Sequence, residues 1–192
     1  MSVSAVRTQD EKFMTLALAE ARAAAEEGEV PIGAVVVCDG QVVAATHNRR
    51  ETDRDPSAHA EFLAMTAAAA ALDRWRLTGC TVYVTLEPCL MCAGLMVNAR
   101  VDRCVFGAPD PKGGAVGTLY DVSADPRLNH EFEVEGGVLE EECAGLLREF
   151  FRARRRAAKE ARRAAAAGSC VNAAAGRSPS APLAAPSAPE SD

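Results

Sequence analysis

Nowhere in its 192 residues does the sequence contain an apolar run of the roughly 18 residues that a membrane span needs. The stretch MSVSAVRTQDEKF also lacks the charged segment followed by an apolar segment that marks an export leader. A cytoplasmic protein is therefore expected. Cysteine is present seven times, an odd count, without the spacing of a secreted disulfide scaffold. A chain of this length buries a full core without staples, so reduced thiols or metal ligands are the expected use. Histidine is scarce, with three in the whole chain, at positions 47, 59 and 130.

Charge of one sign is also unevenly supplied. Residues 148 to 192 hold nine Lys/Arg against four Asp/Glu, leaving twelve against twenty-three in residues 1 to 147. The body is acidic and the end basic. Most of that basic charge lies in REFFRARRRAAKEARR, residues 148 to 163. From 164 to 192 the chain is Ala, Ser, Pro and Gly with almost nothing to bury, which predicts a disordered tail. The expected organisation is a domain over 1–155, followed over 156–192 by a basic helical extension and that tail.

Within the body the apolar periods alternate. Thr8 and Glu11 form a capping box, and Phe13, Leu16, Ala17, Ala21 and Ala24 recur at helical spacing, predicting a helix from about 9 to 27. PIGAVVVCDGQVVAATHN is a β-branched run broken by Asp39-Gly40, a strong hairpin signal. A buried helix from Ala58, the strand TVYVTL, the short helix LMCAGLMVNA, the strand RCVFGA and a long amphipathic helix ending in FFRARRR follow. Phe150 and Phe151 are expected to close that last helix against the sheet. The order α-β-β-α-β-α-β-(β)-α predicts an α/β fold, a sheet sandwiched between helices.

The residues that carry chemistry are SAHAE, 57 to 61, and EPCLMC, 87 to 92. His59 and Glu61 open a helix after Pro56, and Cys89 and Cys92 follow Pro88 at a strand-to-helix turn, where the exposed N–H groups favour thiolates. One imidazole and two thiolates suit zinc. No fourth ligand is spaced to join them: Cys38, Cys80 and Cys104 lie in strand contexts, Cys143 reads as helix core, and His47 and His130 stand far off. Three protein ligands with one open position is the layout of a catalytic zinc, and Glu61 is placed to take the proton of a zinc-bound water and pass it to a leaving group.

With these residues in place, HAE and PCLMC resemble the H-x-E and P-C-x-x-C signature of the cytidine-deaminase superfamily. EVPIGAVVV, HNRR, DPSAHAE, TLEPCLMCAGLM, VFGAPDPKGGAVGTL and LNH, in that order over about residues 9 to 155, resemble the bacterial tRNA-specific adenosine deaminases. The resemblance implies a three-layer α-β-α fold with a mixed sheet of about five strands. It implies one zinc per chain on His59, Cys89 and Cys92, with Glu61 the proton shuttle for attack on adenine C6. It further implies a homodimer acting on the wobble adenosine, position 34, of a tRNA anticodon loop, with tRNA-Arg the expected substrate. By position, Asn48 and Val30 would contact the flipped nucleoside, and Asp110 and Asn129 the neighbouring anticodon nucleotides. The chain departs from the family at His47 and Arg50, where an aromatic residue and a proline are expected, and at Pro109 and Pro111, which flank Asp110. Two alternatives stay open. DPSAHAE also occurs in the branch of free-base or free-nucleotide deaminases, acting on guanine, cytosine or dCMP, and a non-catalytic zinc module would share the ligands but need no carboxylate at position 61. Arg49, Arg50, Arg152, Arg154, Arg155 and Arg156 are candidate phosphate contacts on an otherwise acidic chain.

Overall fold

Asp39 and Gly40 both adopt positive φ, 49° and 73°. A two-residue hairpin turn requires this, and it lets β1 (Gly33–Cys38) reverse into β2 (Gln41–His47) with Cys38 opposite Gln41. The chain is described here by a computed structural model covering residues 3–175. Strand β1 also pairs antiparallel with β3 (Cys80–Leu86), beyond which β4 (Arg103–Ala108) and β5 (Glu133–Glu135) add in parallel. The result is a five-stranded mixed sheet in the order β2-β1-β3-β4-β5.

Alternation along the strands sends side chains to two cores. Val35, Val37, Tyr83 and Val105 pack with Phe13, Met14, Ala17 and Leu18 of α1 (Val3–Glu26) and with Cys143 of α5 (Glu140–Ala175). Ala34, Val36, Val82, Val84 and Cys104 pack on the other face with Ala60, Ala64 and Met65 of α3 (Ala60–Ala71), and with Ala93, Met96 and Val97 of α4 (Leu90–Ala99). This is the three-layer α-β-α arrangement. The small α2 (Arg50–Asp53) caps the end of β2. On the α1 side, buried Asp10 accepts hydrogen bonds from the Tyr83 hydroxyl at 2.9 Å and from both terminal nitrogens of Arg103 at 2.8 and 2.9 Å.

Several boundaries differ from the sequence expectation. Helix α1 begins at Val3, so Thr8 lies inside it and not at its cap. Once a helix is nucleated by its packed face, each further residue adds a hydrogen bond, and extension outruns a local capping signal. Phe151 is exposed and Phe150 only half-buried; the two stack edge-on, and it is Cys143, with Ala144 and Leu146, that packs α5 into the core. The first compact unit ends at Phe151. Beyond it α5 continues to Ala175, past Ala164 where the tail was expected to start. Low burial does not prevent a helix there, because the alanine run has the highest intrinsic helix propensity. The rest of that expected tail, 176–192, lies outside the described residues. Among the described residues, no helix is long and apolar enough to cross a membrane.

Candidate active site

Two helix starts build the site. His59 is the N-cap of α3 and Cys89 the N-cap of α4, both with extended backbone (ψ 148° and 173°), which puts Glu61 and Cys92 in the first turns. Pro56 and Pro88, just upstream, suit these entries because proline does not continue a helix. The ligand atoms of His59, Glu61, Cys89 and Cys92 all lie within 4.8 Å of one another, the one group of this kind among the described residues. Nδ1 of His59 faces both thiols, 3.6 Å from Sγ of Cys89 and 3.8 Å from Sγ of Cys92.

The electrostatics follow from this crowding. A hydrogen bond from Cys92, helped by His59, holds the Cys89 thiol down to about 3, while its bond to Cys89 and burial push Cys92 well above the usual thiol value. His59 is raised by its bond to Cys89, and burial raises Glu61, which is only 4% exposed. A divalent cation among these groups would find two soft sulfurs and an imidazole as donors within reach of one another, so the donor set fits a metal.

None of the other expected site residues belongs to this quartet, and each has its own surroundings. Asn48 is buried, and its Nδ2 donates to Oε2 of Glu29 at 3.0 Å; Glu29 is itself buried and accepts the Thr52 N–H at 2.7 Å. A carboxylate only accepts, so this contact fixes which way the Asn48 amide points. The neighbouring Arg49 N–H donates to the Ala58 carbonyl at 3.0 Å, and the Thr46 hydroxyl to that of Ala60 at 2.7 Å, which ties the end of β2 to the His59 turn. Val30 is half-buried. Asp110 is half-buried, and its Oδ1 accepts the Lys112 N–H at 2.9 Å. Asn129 is exposed, and no hydrogen bond among the described residues joins it to the quartet. His47, a departure from the family pattern, lies 2.8 Å from Glu20 of α1 through its Nδ1. Sequence reading missed Glu29 and Glu87. Both are buried carboxylates whose partners come from distant segments, so no local pattern announces them.

A profile of MafB19-like deaminases matches residues 8–155. The tRNA-specific adenosine deaminase of Bacillus subtilis is 55% identical over 154 residues, covering 80% of this chain and 96% of that protein. A structure from a study of A-to-I editing by tRNA:A34 deaminases at the wobble position of transfer RNA has 48% identity and a TM-score of 0.69, covering 71% of this chain and 99% of that one. A guanine deaminase from Nitrosomonas europaea is more distant at 28% identity and a TM-score of 0.64, covering 73% of this chain and 83% of that one. On this agreement in sequence and fold, the chain belongs to the family of the tRNA-specific adenosine deaminases.

Proposed function

We propose that this protein hydrolyses adenosine to inosine at the wobble position, 34, of a tRNA anticodon, with tRNA-Arg as its expected substrate. The observation that carries the reading is the convergence of His59, Glu61, Cys89 and Cys92 at two helix starts. His59, Cys89 and Cys92 would hold one zinc ion. Bound there, zinc supplies Lewis acidity that brings the pKa of a water towards about 7. Glu61 takes a proton from the attacking water and delivers it to the leaving amino group, so that water adds at C6, ammonia departs and inosine remains. Asn48, held by Glu29, orients the extruded nucleoside, and Val30 lies against its base. Asp110 and Asn129 contact the nucleotides beside it.

The protein would work in the cytoplasm as a homodimer. The experiment compares turnover of an anticodon stem-loop carrying adenosine at the wobble position with turnover of guanine, cytosine and dCMP. Inosine formation on the RNA with little reaction of the free compounds is expected. Preferred turnover of guanine would replace this reading with free-base deamination.

A further inference from the structure

Glu87 is 2% exposed, stands two residues before Cys89, and has no role in the chemistry above. Its carboxylate is crowded with donors. Oε2 accepts the Asp110 N–H at 2.9 Å and the Thr118 hydroxyl, while Oε1 accepts the N–H groups of Val116 at 3.3 Å and Thr118 at 3.0 Å. All four donors come from one segment, 109–118.

The backbone repeats the connection. The Ala115 N–H donates to the Pro88 carbonyl at 2.8 Å, and Cys89 pairs with Gly114 as an isolated antiparallel bridge. A Cβ at Gly114 would stand 2.3 Å from the Glu87 carboxylate, so glycine is what lets the segment close around it. Converging N–H and O–H donors need a group that only accepts; glutamine would turn an NH2 towards some of them. The segment so gathered, and the residues just after it, present Lys112, Leu119 and Tyr120 to solvent beside the metal-ligand turn. A cation for phosphate and an aromatic face for a base are what a single-stranded nucleic acid takes.

We propose that Glu87 is a positioning residue for RNA: it clasps 109–118 onto the Cys89 turn and so holds Lys112 and Tyr120 where an anticodon loop meets the site. This rests on the RNA reading of the substrate. The test uses the zinc-loaded protein and an anticodon stem-loop, with three readouts on each variant: zinc content, amide hydrogen exchange and steady-state kinetics. Glu87→Gln should keep its zinc, lose exchange protection at the amides of Asp110, Val116 and Thr118, and raise KM on the order of tenfold with a smaller change in kcat. Thr118→Val, a milder break of the same contact, should move exchange and KM in the same direction by less. Lys112→Ala with Tyr120→Ala should raise KM while leaving protection intact.

Zinc depleted in proportion to activity would overturn the proposal, because Glu87 would then serve only the ligand turn. A fall in protection with KM unchanged would also overturn it, because 109–118 would then not meet RNA. If the wild type turns over no RNA, the substrate reading fails. The exchange measurement needs no substrate, so it separates that outcome from failure of the clasp.

Discussion

Glu61 and Cys89 have their side-chain donors within 4.8 Å of each other, yet they are assigned different work. On the proposed function Cys89 would hold metal and Glu61 would move protons, so their removal should give different phenotypes. Glu61→Ala should retain about one zinc per chain and lose at least about 10²-fold in kcat, the usual general acid/base contribution. Cys89→Ala should lose the zinc itself. Metal analysis beside single-turnover rates checks both, and a Glu61→Ala protein without zinc would make the carboxylate a ligand. The quartet was legible in the sequence because each half is a local spacing placed by a helix start after proline. Glu29 and Glu87 were not, since each acts through partners some twenty to thirty residues away that only the fold brings near. Asp110 was legible as a residue of interest, but not as one whose carboxylate closes its own turn on Lys112.

At the scale of elements, the hairpin at Asp39-Gly40 and the strand and helix alternation could be read directly, because turn chemistry and periodicity are local. The ends of α1 and α5 could not, because helix extension depends on propagation and alanine propensity as much as on caps. Nor did the sequence announce that Asp10 ties α1 to β3 and β4 through Tyr83 and Arg103. Asp10→Ala strands a largely buried guanidinium and should destabilise the fold by about 3 kcal/mol in denaturant unfolding. The same tie has an alkaline signature. Burial and the bond to Asp10 raise the Tyr83 pKa above its ordinary value, so the fold favours the neutral phenol. That contribution is fully present below about pH 10, the unfolded value, and is lost as pH rises through the higher folded value. Melting temperatures measured from pH 8 to 11 should therefore fall less steeply for Tyr83→Phe than for the wild type.

For the whole molecule, the tension is one of charge: on the proposed function a net −6 chain must bind a polyanion. Arg152, Arg154, Arg155 and Arg156 are all exposed in the second unit, and the Arg156–Glu160 pair at 3.8 Å is too exposed to neutralise much. Replacing the four arginines with Gln should weaken binding of an anticodon stem-loop and flatten its salt dependence by roughly 0.7 to 0.9 log units for each phosphate no longer neutralised. Cutting after Ala164 should leave binding close to unchanged. A salt titration of the three proteins decides, and an unchanged slope in the Gln variant would make the arginines a solvated helix face. The most direct test of the central claim is to incubate total tRNA with the zinc-loaded protein and sequence it for inosine. The account predicts inosine at position 34 of an adenosine-bearing anticodon, and none with Glu61→Ala. Wobble adenosine left intact by the wild type, or converted equally well by Glu61→Ala, would contradict it.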